Sequence, residues 1–78
     1  MKKVEIYSTP SCHYCHLAKD FFAENKIAYT EYDVASDIEK RKEMVGLTSQ
    51  MGVPVIVIDG SWAVGFNKTE VAKMLGLL

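Results

Sequence analysis

The chain has 78 residues, 49% of them apolar and 24% charged, the composition of one small globular domain rather than of a disordered or fibrous segment. Nine basic side chains against ten acidic ones leave a formal net charge of −1, which argues against nucleic acid held by bulk electrostatics. The longest apolar stretch, Val53-Pro54-Val55-Ile56-Val57-Ile58, falls far short of the ~20 residues that cross a bilayer, so no membrane partner is expected.

The opening residues Met1-Lys2-Lys3-Val4-Glu5-Ile6 have charge and strand character without the apolar segment of a secretory signal, so a cytoplasmic protein is expected. There is no internal repeat, low-complexity tract or linker, and residues 1–78 read as a single domain.

In chain order, Val4-Glu5-Ile6-Tyr7 is a short β-prone run closed by Ser8-Thr9-Pro10-Ser11. Leu17, Ala18, Phe21 and Phe22 then recur at helical spacing, with Lys19, Asp20 and Glu24 on the opposite side. This predicts an amphipathic helix of roughly 12–14 residues beginning near Cys12. Residues 28–34, β-branched and aromatic with alternating charge, suit a strand at a sheet edge. Ser36-Asp37-Ile38-Glu39 has the Ser-x-x-Glu pattern of a capping box, opening a thinly apolar, peripheral helix that runs to about Val45 and stops at Gly46.

Val55-Ile56-Val57-Ile58 is continuously apolar, as in a strand buried on both faces. Asp59-Gly60 predicts a two-residue hairpin turn, with Ser61-Trp62-Ala63-Val64 as the antiparallel partner. Asn67-Lys68-Thr69-Glu70 signals a last helix, with Val71, Met74, Leu75 and Leu78 on one face. The order β-α-β-α-β-β-α implies a four-stranded mixed sheet flanked by three helices, its first two strands parallel through a right-handed crossover.

The chemistry gathers at Cys12-His13-Tyr14-Cys15. At a helix start, residues i and i+3 share a face, so the two sulfurs can approach bonding distance. Free backbone N–H groups and the dipole there favour an anion, which predicts a Cys12 thiol activated into the ~3.5–7.5 pKa range. Cys15, one turn inside, should be buried and keep its proton. Cys12 then attacks a disulfide and Cys15 resolves the mixed disulfide.

Three other readings fit the same residues less well. Zinc would need Cys12, His13, Cys15 and His16 as ligands, and four ligands within five consecutive residues cannot surround one ion, although a metal bridging two chains stays open. The string Cys12-His13-Tyr14-Cys15-His16 matches the c-type haem attachment pattern, yet the apolar residues are already used by a sheet and three helices. Inert core cysteines would not stand beside Pro10, Ser11 and His13.

The chain resembles the glutaredoxin family of the thioredoxin fold over nearly its whole length. The likeness lies in Ile6-Tyr7-Ser8 leading into the dithiol, Val53-Pro54 before an apolar strand, Asp59-Gly60, and Gly65-Phe66-Asn67 opening the last helix. It implies an α/β thioredoxin-like domain acting as a dithiol oxidoreductase on protein disulfides or glutathione mixed disulfides. Electrons would come from glutathione as co-substrate, or from a flavoprotein disulfide reductase, with no bound cofactor and no metal. A monomer is expected. The resemblance further implies a cis Val53-Pro54 bond facing the dithiol, where Val53 would pair with an extended substrate, and substrate or glutathione contacts at Tyr14, Gly65, Phe66 and Asn67.

The chain also departs from the family pattern. His13 stands where glutaredoxins usually have proline, which restores an N–H at the helix start and adds positive charge when the ring is protonated. A less reducing couple than in the proline version is therefore expected. Thr9 stands where many members carry a basic residue, and only Gly65 remains of a typical Gly-Gly pair. Lys40, Arg41 and Lys42 are the nearest replacement charges.

Trp62 followed by Gly65-Phe66 resembles, in looser spacing, redoxins that draw on thioredoxin reductase and serve ribonucleotide reductase, although sheet packing is the simpler expectation for Trp62. In a different class, some family members hold an iron–sulfur cluster between two chains through the residue matching Cys12 and glutathione.

Overall fold

The structure, a computed structural model, describes residues 2–77. Its elements follow the expected order: β1 (Val4–Ser8), α1 (His13–Glu24), β2 (Thr30–Asp33), α2 (Ile38–Thr48), β3 (Val55–Ile58), β4 (Ser61–Val64) and α3 (Lys68–Met74). The strands lie in the order β2-β1-β3-β4, with β1 parallel to β2 and the other two pairs antiparallel. β2 is the predicted edge strand, shorter than the run 28–34. The hairpin turn is as expected, with Asp59 (φ 49°) and Gly60 (φ 87°) both left-handed.

Alternation along the strands sorts the core into two layers. Val4, Ile6, Ile56 and Ile58 face α1 and α3, where Ala18, Phe21, Phe22, Val71 and Ala72 complete one cluster. Tyr7, Val55 and Val57 face α2 and pack with Val34 and Met44. All four residues of β3 are buried, because helices cover it on both sides.

Three local expectations need correction. The second helix is capped by Asp37, whose Oδ1 accepts the Lys40 N–H at 3.0 Å; Ser36 instead bonds back to the Asp33 carbonyl. Asp caps as well as Ser, and the turn after β2 is still open at Ser36. The same helix passes through Gly46 to Thr48 and ends at Ser49, which takes the left-handed conformation. Met44 and Thr48, one turn apart, are both buried, and their burial outweighs the ~1 kcal/mol that glycine costs inside a helix. On α1, Leu17 is 38% exposed, and the buried stripe is instead Cys15, Ala18, Phe21 and Phe22. Lys19 lies at the flank of that stripe rather than opposite it, because an acceptor waits for it on β2. Leu78 lies outside the described residues.

Candidate active site

Three connections meet at one end of the sheet. β1 ends at Ser8 and leads into the loop before α1. β3 begins at Val55, which pairs with Tyr7 of β1, so Val53-Pro54 arrives beside the end of β1. β4 ends at Val64, which pairs with Val55, so Gly65-Phe66-Asn67 leaves from the same end. The strand register thus gathers the residues that the sequence singles out for chemistry.

Cys12 is the N-cap of α1, and its Sγ accepts the backbone N–H of Cys15 at 3.1 Å. Cys12 is half-buried and Cys15 fully buried (0% exposed). The two are joined as a disulfide, with Cα atoms 5.2 Å apart. The donor to the sulfur is the third residue of the helix, not His13. A cap side chain reaches back over the first turn, so the N–H restored by His13 lies at the wrong place to serve the Cys12 sulfur. His13 is exposed and meets Tyr14 edge-on, ring centroids 5.7 Å apart; Tyr14 itself is 58% exposed beside the dithiol. The loop is braced from within, since His16 Nε2–H donates to the Pro10 carbonyl at 2.9 Å. That brace fixes a role for His16 other than the metal ligation weighed from the sequence.

The Val53-Pro54 bond is cis, Pro54 is buried and Val53 half-buried. The Pro54 carbonyl accepts the Gly65 N–H at 2.7 Å, tying the proline loop to the segment after β4. Gly65 sits at φ 85°, where a side chain would be strained. Its N–H is therefore already occupied. Phe66 packs against Phe21, centroids 5.8 Å apart, and Asn67 caps α3 by accepting the Glu70 N–H at 3.1 Å. Both thus have structural partners besides any part in binding. Leu17, Phe21 and Phe66 line a shallow open hollow of about 220 Å³ between α1 and α3, with Asp20, Glu24 and Lys68 around it.

Two polar clusters bring together side chains whose long-range pairing the sequence reading did not foresee. In the first, Glu31 Oε2 accepts both Ser8 Oγ and Lys19 Nζ, each at 2.8 Å. The Lys19 bond, followed by the Ser8 bond, holds the Glu31 carboxyl below its ordinary value of 4.5. In the second, Tyr7 donates to Glu43 at 2.6 Å and Tyr32 to Glu5 at 2.7 Å, while Lys40 lies 4.1 Å from the Tyr32 ring centre and bonds Glu43 at 3.2 Å. Lys40 is thereby committed to α2 and the sheet rather than left free as a replacement charge. Burial, then the bond to Glu43, pushes the Tyr7 hydroxyl well above the ordinary tyrosine range. The hints in the sequence were positional: Lys19 stands four residues after Cys15, Ser8 four before Cys12, and Lys40 three before Glu43 on one helix.

Trp62 is 42% exposed on the edge strand, so sheet packing covers only part of it. Among the described residues, no group of three or more His, Cys, Asp and Glu side chains is arranged to hold a metal ion. No helix there is long and apolar enough to cross a membrane.

Fold and cysteine pair together define a thioredoxin-like redox domain. The glutaredoxin family model matches residues 4–63, a span that includes both cysteines and the cis-proline, and the chain belongs to the glutaredoxin family. It is 44% identical over 72 residues to an uncharacterized glutaredoxin-like 8.6 kDa protein of the rubredoxin operon in Clostridium pasteurianum, covering 92% of this chain and 96% of that one. Its identity to glutaredoxin 3 of Escherichia coli K12 is 36% over 59 residues, 76% of this chain and 71% of that one. Among solved structures, a mutant form of the thioredoxin-like protein BC3987 superposes with a TM-score of 0.91 at 33% identity, covering all of both chains. Family and disulfide-forming pair together support the activity of a thiol–disulfide oxidoreductase.

Proposed function

We propose that the protein reduces protein disulfides or glutathione mixed disulfides, with Cys12 as nucleophile and Cys15 as resolving thiol. The Cys12 thiolate attacks one sulfur of the substrate disulfide, forms a mixed disulfide and expels the other sulfur as a thiolate, which takes up a proton. The Cys15 thiol then loses its proton and attacks Cys12 Sγ, closing the intramolecular disulfide and releasing the second substrate thiolate. The substrate gains two electrons and the pair loses two. Two glutathione thiols, or one flavoprotein reductase, return the pair to the dithiol without a bound cofactor.

The observation that carries this reading is the Cys12 sulfur seated on the Cys15 N–H at the amino end of α1, in bonding reach of a fully buried partner. A thiolate at that position gains from the helix dipole and from the same N–H, while burial keeps Cys15 protonated until it is needed. Val53, at the half-buried approach to the cis-proline, is the proposed strand-like contact for an extended substrate, and Tyr14 with Gly65, Phe66 and Asn67 flanks it.

The deciding assay reduces a small mixed disulfide with glutathione and glutathione reductase, beside the same assay with thioredoxin reductase. Cys12→Ser is expected to abolish turnover by at least about a hundredfold, whereas Cys15→Ser retains one-thiol exchange with glutathione mixed disulfides. Turnover that survives Cys12→Ser would overturn the reading. One observation favours a second donor and target: Trp62 is exposed and Thr9 supplies no charge for a glutathione carboxylate, as expected of a redoxin fed by thioredoxin reductase and serving ribonucleotide reductase. Activity with the flavoprotein alone would select it.

A further inference from the structure

Lys3 and Glu5 form an open surface contact at 3.8 Å, with the lysine side chain 77% exposed, and such pairs do little. The Glu31 cluster is built differently. Ser8 is 1% exposed and is the last residue of β1; its hydroxyl donates to Glu31 Oε2. Lys19, its side chain only 20% exposed, donates to that same oxygen from α1. Glu31 itself lies on the edge strand. The parallel register pairs it with Ile6, which puts its side chain on the face that α1 covers, together with Ser8.

The two donors bracket the redox loop. Ser8 precedes Cys12 by four residues and Lys19 follows Cys15 by four, one helical turn, so Lys19 shares the stripe of the buried thiol. A single carboxylate oxygen therefore joins the strand that enters the loop to the helix that leaves it. Asp33, two residues along β2, is the other charge acting on Glu31. Inside the loop the His16–Pro10 bond is a separate brace.

We propose that Glu31 is a positioning residue for the dithiol: through Ser8 and Lys19 it clamps the end of β1 to α1 and so keeps the Cys12 sulfur seated on the amino end of that helix. This rests on Cys12 being the nucleophile. The sulfur is held by one N–H at 3.1 Å, and Cys12 is tied back to the loop leaving β1 by its own N–H, which donates to the Thr9 carbonyl at 3.3 Å. The seat of the sulfur therefore depends on how the end of β1 lies against α1. Releasing the clamp destabilises the thiolate, and with it the reduced form.

The test is the pH profile of Cys12 alkylation by iodoacetamide in the reduced full chain, read site by site by mass spectrometry. Glu31→Ala and Lys19→Met change the local charge in opposite directions. A clamp requires both to move the Cys12 profile to higher pH and to slow alkylation at neutral pH by about threefold, the double variant going no further and Lys19→Arg keeping the wild-type profile. Shifts of opposite sign would show charge acting through space, and unmoved profiles would show an idle surface pair; either overturns the clamp. Ser8→Ala, which removes one hydroxyl, must shift the profile in the same direction, and guards against a charge variant that fails to fold. A wild-type Cys12 no faster than free cysteine would instead overturn the nucleophile reading, whereas a fast wild type with unmoved variants overturns the clamp alone.

Discussion

On one face of the sheet, α1 and α3 bury an apolar cluster around Phe22, Ile6 and Ile56. On the other, the single helix α2 covers a layer whose largest member, Tyr7, carries a hydroxyl that must be satisfied, and it is, by Glu43. Two helices close the first face. One helix leaves the β4 side of the second open, and there Trp62 and Val64 remain exposed. Non-directional burial holds the first layer, whose polar cluster of Ser8, Glu31 and Lys19 sits at the dithiol end. The second depends on hydrogen-bond geometry at its rim, where Tyr7–Glu43, Tyr32–Glu5 and Lys40 interlock. The helix that carries the dithiol belongs to the first face, so the reactive cysteines stand on the layer held mainly by apolar burial.

The sharpest way to break this contrast is Phe22→Ala. The ring is fully buried against Tyr29 and Phe21, and its loss is expected to cost about 3–5 kcal/mol, comparable with the whole stability of a domain this size. Urea unfolding measures it, and a loss below about 1 kcal/mol would show that the two layers are not different in kind. On the opposite face, Tyr7→Phe keeps the ring and removes the donor to Glu43, for an expected loss of about 1–2 kcal/mol. An unchanged midpoint there would mean that the rim network is ornamental.

Smaller again are the pH effects. The bond to Glu5, then burial, pushes the Tyr32 hydroxyl up to about 12 from its ordinary 10.0. Its folded pKa is raised, so its contribution is complete below pH 10 and is lost as pH rises from about 10 to about 12. Tyr32→Phe should flatten that part of the alkaline unfolding curve, and a curve of unchanged slope would contradict the assignment. Glu43 acts at the other end of the scale. Its carboxyl is held below 4.5 by the Tyr7 bond and then by Lys40, so its contribution is present above that value and lost as pH falls through the lower folded pKa. Glu43→Gln should make acid unfolding less steep, with Tyr7→Phe doing the same in part.

Local signals carried much of this structure. Asp59-Gly60 favours two left-handed residues and signals a hairpin turn, and the unbroken apolar run Val55–Ile58 beside it matches a strand covered on both sides. Cys12 at the helix start and Cys15 one turn inside were legible because the helix period is fixed by backbone geometry; the structure added that Cys12 is the cap. Harder to read were places where neighbouring residues compete for one role. Ser36 and Asp37 are both good caps, and only the turn after β2 selects between them. Gly46 is a plausible stop, and only the sheet beneath Met44 and Thr48 carries the helix past it.

The sequence by itself determined the order of elements and the dithiol at a helix start, because each depends on residues within a turn or two of one another. It also determined the kinship with glutaredoxins, because the short motifs keep their order along the chain. The tertiary structure alone decided that Glu31 meets Ser8 and Lys19, that Gly65 spends its N–H on Pro54, that Glu43 meets Tyr7 while Lys40 lies over Tyr32, and that Trp62 stays partly open. Those contacts join residues far apart in the chain, and their partners are set by strand register and by which helix covers which face, neither of which local periodicity encodes.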